Sequence, residues 1–180
     1  MVDRQSLIKK INALVDGLEY DFSRFEIRDF VAWVAEKRGR QIELVPMQFS
    51  SDAFAAWVPD DEDLTDYVFY EPGLVEVRTN QFILHEIGHM LLRHQPRKLS
   101  QEISNLVRNL RHEPNPGLGG TAMGLLRSID YTDDQEEEAE TFSSLIQARV
   151  LDLSSTKLLR RQSSQNSALA HYMGDMGFDE

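Results

Sequence analysis

The chain has 180 residues, 41% hydrophobic and 27% charged, the balance of one globular domain with a core of its own. It contains no cysteine, which excludes disulfides, thiolate metal ligands and cysteine nucleophiles and fits a reducing, cytoplasmic setting. A formal net charge of −11 repels phosphate backbones, so direct nucleic-acid binding is not expected; a basic partner suits the charge, although a solvated acidic surface is the plainer reading.

Asp3, Arg4, Lys9, Lys10 and Asp16 interrupt the N-terminal stretch, so it lacks the apolar region of a signal peptide, and no run is long enough to span a bilayer. Leu7, Ile8, Ile11, Leu14, Val15 and Leu18 recur at helical spacing and predict an amphipathic helix over 3–18. Ser23 with Glu26 reads as a capping box opening a second helix, whose stripe is Phe30, Val31, Val34 and Ala35 and whose stop is Gly39. Residues 41–49 read as a strand closed by Pro46. Residues 53–58 and 65–70 read as a hairpin around the acidic turn PDDED, and EPG at 71–73 as a turn.

A helix is predicted from about Val75 to His94, stopped by Pro96. Residues 98–111 are a further helix candidate, and 112–124, rich in Gly and Pro, a loop. Thr132 and Gln135 form a second capping box before a helix at 134–151 with the stripe Ala139, Phe142, Leu145, Ile146 and Val150. The order of elements predicts an α+β fold: a small antiparallel sheet packed against the 75–94 helix and further helices. The expected organisation is an N-terminal helix at 1–22, a main domain at 23–153 and a Ser/Gln-rich, partly helical tail at 154–180.

The stretch NQFILHEIGHMLLRH at 80–94 carries His85, Glu86 and His89 as HExxH. Helix positions four apart lie one turn apart on one face, with Cβ atoms about 5–6 Å apart. Two imidazoles so placed can reach one Zn2+ ion at about 2.0–2.1 Å. Glu86, about a hundred degrees round the helix, suits a carboxylate that touches the metal's water rather than the metal. Zinc lowers the pKa of that water towards about 7, and Glu86 takes the proton. The plainer reading is a helix with two solvated or core histidines; the helical setting favours the metal.

A catalytic zinc takes three protein ligands and keeps one position open. A third histidine at the metzincin offset is absent, because Leu92 stands at the glycine position and Gln95 at the histidine position. His94 falls on a different face from His89 and is expected to be exposed, while His112 lies in a loop and His171 in the tail. The helix at 134–151 offers Glu136, Glu137, Glu138 and Glu140, and one of them would complete a gluzincin-type His2Glu set. Most of that run is explained as a solvated first turn that complements the helix dipole. Glu136 and Glu140 share a face and suit a ligand plus a carboxylate receiving an imidazole N–H, but spacing leaves Glu136, Glu138 and Glu140 all open as the third ligand.

With these residues the chain resembles the ImmA/IrrE family of metallopeptidases. RTNQFILHEIGHMLLRH is similar to the family's lead-in and HExxH, and EEEAETFSSLI at 136–146 is similar to its downstream Glu-x-x-Ala-Asn-x-Phe-Ala. The resemblance covers about residues 20–150, with HExxH its specific part. It puts Glu136 at the ligand position, Ala139 at the alanine and Phe142 at the phenylalanine. Three features depart from the pattern: Glu140 replaces the usual Asn or Asp, LIQARVLDL replaces Leu-x-Met-Pro, and the stretch 95–133 is long. That stretch reads as a surface excursion in preference to a lid.

The resemblance implies a minimal zincin-like domain with Zn2+ on His85, His89 and Glu136, and Glu86 as general base and then general acid. The implied activity is endopeptidase cleavage of a protein substrate, a helix-turn-helix repressor, with no membrane partner. Tyr131, Tyr70, His112 and Tyr172 are candidates for stabilising the oxyanion. The hairpin edge near 53–70 offers an extended substrate a strand to pair with. The alternatives are a non-cleaving metal-binding anti-repressor or toxin-like interaction protein, and a metallohydrolase acting on something other than peptides.

Overall fold

The computed structural model describes residues 3–48, 55–95 and 129–175 together with Glu102, Ile103, Asn105, Asn109 and Leu126, with side chains as far as Lys157. The elements are α1 (Arg4–Asp16), a 3-10 turn (Phe22–Arg24), α2 (Ile27–Arg38), β1 (Gln41–Pro46), β2 (Ala55–Asp60), β3 (Thr65–Tyr70), α3 (Glu76–Leu91) and α4 (Asp133–Asp175). The helix candidate at 98–111 and the loop at 112–124 lie outside the described residues, apart from the isolated positions named.

Leu7, Ile11 and Val15 form the buried spine of α1 and join the same core as Val34 of α2, Ile83 of α3 and Ile146 of α4; Ile8 faces out. The Ser23–Glu26 capping box does not form. Asp21 captures the Ser23 N–H at 2.9 Å and turns the chain into the 3-10 helix, so α2 opens later, at Glu26, with no side-chain cap. Tyr20, Phe22, Phe25, Phe30 and Trp33 pack ring against ring around this entry. Gly39 ends α2 in the left-handed conformation, φ 64°, which glycine enters without a Cβ clash.

The sheet is mixed, not antiparallel: its order is β1-β3-β2, with β1 parallel to β3 and β2 antiparallel to it. The β2–β3 hairpin closes at the pair Asp60 and Thr65, as the acidic turn predicts. Asp66 in β3 accounts for the parallel partner. Its buried carboxylate accepts from Arg38 Nη2 at 3.0 Å and Arg40 Nε at 3.1 Å, which flank the entry to β1. The start of β1 is thereby held beside the start of β3, Gln41 against Thr65. Trp57 Nε1 donates to the other oxygen of Asp66 at 3.1 Å and ties β2 to the same anchor.

α3 and α4 pack closely at Gly88. A Cβ there would lie 3.0 Å from Phe142 Cδ1 and 3.3 Å from Ala139 Cα, so any larger residue would force the two helices or the Phe142 ring to give by a few tenths of an ångström. Thr132 and Gln135 make the reciprocal capping bonds, Gln135 N to Thr132 Oγ1 at 3.2 Å and Thr132 N to Gln135 Oε1 at 3.0 Å. α4 continues to Asp175, well past the helix expected at 134–151, because residues 154–173 contain neither proline nor glycine.

Ile103 and Leu126 are fully buried beside Met47, Val58 and Phe69. Within the 95–133 stretch, Ile103, Leu126 and Tyr131 are therefore part of the core, while Glu102, Asn105 and Asn109 are exposed. No helix among the described residues is long and apolar enough to cross a membrane.

Candidate metal centre

Helical spacing puts His85 and His89 one turn apart on α3, and the close contact at Gly88 brings the first turn of α4 against that face. His85 Nε2 and His89 Nε2 stand 3.0 Å apart, and Glu136 Oε2 lies 3.2 Å from the first and 3.9 Å from the second. Ligand atoms about 2.0–2.1 Å from a tetrahedral ion are about 3.3 Å from one another. The donor set, two imidazoles and a carboxylate, and its spacing therefore fit zinc. Among the described residues these three alone form a group of potential ligands within 4.8 Å of one another. The side chain of His89 is 1% exposed and that of Glu136 is 48% exposed, so the triad is open on the side of the carboxylate.

The other two glutamates do different things. Glu140 Oε2 is 3.7 Å from His85 Nδ1, on the far side of that ring, and Glu140 Oε1 accepts from Gln81 Nε2 at 3.3 Å. Glu138 points away towards His94 and Lys10.

Glu86 stays out of the triad. It is 5% exposed, and its Oε2 accepts the backbone N–H of Trp57 in β2 at 2.9 Å. Burial pushes its carboxyl up to about 7, with the charge of Glu136 adding and His85 and the Trp57 N–H opposing. Burial, then the neighbouring His85 and His94, push His89 down to about 3, so its ring is neutral. Burial works against a charged His85, but Glu136, Glu86 and Glu140 outweigh it and hold that imidazole above its ordinary value.

A cleft of about 230 Å³ opens on these groups, walled by Ala56, Trp57, Leu126, Ile129 and Tyr131. The Tyr131 ring stacks on His89, centroids 3.8 Å apart and planes 20° apart. Its buried hydroxyl has no hydrogen-bond partner among the described residues. Burial, then Glu86 and Glu136, raise its pKa, so it stays protonated and able to donate. Of the other oxyanion candidates, Tyr70 lines a separate hollow with Ile27 and Leu44; His112 and the side chain of Tyr172 lie outside the described residues.

His94 is not exposed, contrary to its place on a continuous helix. α3 stops at Leu91, three residues earlier than predicted, and Arg93 takes the left-handed conformation at φ 58°. The His94 N–H then bonds His89 O at 2.9 Å and the Arg93 N–H bonds Met90 O at 3.2 Å, a Schellman turn. The turn folds His94 back onto the helix, 5% exposed, with its Nδ1 2.9 Å from His89 Nδ1 and its Nε2 3.0 Å from Glu138 Oε2. Sequence gave no glycine to mark the turn; the five-residue spacing from His89 carries meaning only once the helix end is known.

No protein-family description, curated protein or solved structure matches the chain.

Proposed function

We propose that the chain is a zinc-dependent endopeptidase of the ImmA/IrrE kind that cleaves a helix-turn-helix repressor in the cytoplasm. The observation that carries the reading is a triad of convergent ligand atoms beside a buried carboxylate that is not one of them. A structural metal site has no use for such a carboxylate, whereas a hydrolytic one needs a base. A zinc ion on His85, His89 and Glu136 would supply Lewis acidity towards water and the scissile carbonyl.

The chain's own groups take the remaining roles. The Trp57 N–H holds one oxygen of Glu86, leaving Oε1 to receive a proton from water and return it to the leaving amine. The hydroxyl of Tyr131, a residue that lines the cleft, has no hydrogen-bond partner among the described residues and would donate to the developing oxyanion. The choice of substrate rests on the resemblance and on the charge of −11, which suits a basic protein.

The test uses purified chain, zinc analysis and a candidate repressor followed on a gel. Stoichiometric zinc, cleavage abolished by a chelator and restored by zinc, and a Glu86→Gln variant that keeps zinc without cutting are the expected results. Zinc binding with an uncut repressor would move the reading to a non-cleaving anti-repressor.

A further inference from the structure

We propose that His94 is a positioning residue that fixes the tautomer and orientation of His89 through a His89–His94–Glu138 chain anchored on Lys10 of α1. The proposal rests on the metal-site reading above. Its geometry is independent of that reading: His89 Nδ1 to His94 Nδ1 at 2.9 Å, His94 Nε2 to Glu138 Oε2 at 3.0 Å, and Glu138 to Lys10 Nζ.

Proton counting selects one arrangement. A neutral imidazole carries one N–H, so in each close pair one nitrogen donates and the other accepts. Glu138 is ion-paired with the Lys10 ammonium, so its carboxylate acts here as an acceptor. His94 must therefore place its proton on Nε2, facing Glu138. Its Nδ1 is then a bare acceptor, and His89 must carry its own proton on Nδ1. The lone pair of His89 is left on Nε2, the nitrogen 3.0 Å from His85 Nε2 and facing Glu136. The opposite arrangement would set the His94 Nε2 lone pair against a carboxylate and turn an N–H of His89 into the triad.

Three elements share the task. The Schellman turn at Arg93 brings His94 into place, the first turn of α4 supplies Glu138, and α1 supplies Lys10. A carboxylate or carbonyl beside a ligating imidazole is the usual way to set its tautomer. Here a second imidazole is interposed, which extends the reach of Glu138 to a nitrogen it does not touch.

The experiment has two arms. In the metal-free chain, nitrogen NMR of the histidine rings reads protonation directly. His94 protonated on Nε2 alone and His89 on Nδ1 alone are expected; His89 protonated on Nε2, or His94 on both nitrogens, overturns the proposal. The second arm measures zinc and cobalt affinity by competition with a chromogenic chelator. His94→Phe, which keeps a ring and loses the acceptor, is expected to weaken binding about 10–100-fold. His94→Asn, which can place an amide oxygen where Nδ1 stood, is expected to recover most of that loss, and the two variants' far-ultraviolet circular dichroism to match wild type. Equal affinities for the two variants overturn the proposal. A wild-type chain that binds neither metal removes the peptidase reading, and the NMR arm then still decides the histidine chain.

Discussion

Trp57 donates its backbone N–H to Glu86, so an edge strand of the sheet aims the one buried carboxylate of the cleft that is not in the triad. The bond spans two elements that meet only in the folded chain. Glu86 is 5% exposed, and the Trp57 N–H is the one donor it meets among the described residues. A buried carboxylate so thinly solvated resists ionisation.

That resistance has a measurable consequence in the metal-free chain. Glu86 is raised from an ordinary 4.5 to about 7, so the folded form holds its proton more tightly than the unfolded form. The associated stability is complete below pH 4.5 and is lost as pH rises through 7. Glu86→Gln has no such proton to lose. With chelator present, the variant is expected to gain on wild type by about 3 kcal/mol between pH 4 and pH 8.5. Urea midpoints of both chains across that range check it; a gap independent of pH would refute it.

Tyr131→Phe separates packing from chemistry. The ring that stacks on His89 remains, and the lost hydroxyl has no hydrogen-bond partner among the described residues. Thermal stability and zinc affinity are expected to stay at wild-type levels while cleavage slows by about 10²–10³-fold. Unchanged cleavage would take the hydroxyl out of the reaction.

Gly88→Ala tests the helix contact that assembles the triad. The new methyl would meet Phe142 and the backbone of Ala139, and a loss of about 1–3 kcal/mol is expected. Because Glu136 rides on α4, zinc affinity should fall with stability. Adding Phe142→Leu relieves the ring contact but not the backbone one, so only part of the loss should return. Calorimetry and chelator competition on the two variants read both effects.

Asp66→Asn tests the anchor of the sheet. The variant leaves Arg38 and Arg40 beside one another without their shared carboxylate. Breaking one side of a buried ion pair costs about 3–5 kcal/mol. Urea denaturation should show a loss of that size, with the Trp57 fluorescence changed in the native state, since its indole N–H also loses an ionised acceptor.

What could be read from the sequence was local. Thr132 with Gln135, Gly39 at the end of α2, the hairpin around the acidic turn and the helix bearing HExxH depend on neighbours a few residues away, and each forms as its side chains dictate. Glu136, set apart from Glu138 and Glu140 by the family resemblance, is the one of the three that meets both histidines. What could not be read depends on competition or on distance. Ser23 had the spacing of a capping residue, but Asp21 reached its N–H first. The direction of β1 follows from Asp66, twenty residues further on, and no period within β1 encodes it. His94 was hidden by a turn in which an arginine occupies the place usually given to glycine.

The close crossing at Gly88 also sets an order of events. Both histidines leave the ribosome well before Glu136, and α4 must dock on α3 before the three can meet. A nascent chain that has reached residue 95 holds both histidines of the triad and not yet its carboxylate. Convergence of the three ligand atoms comes late, with the acidic first turn of α4.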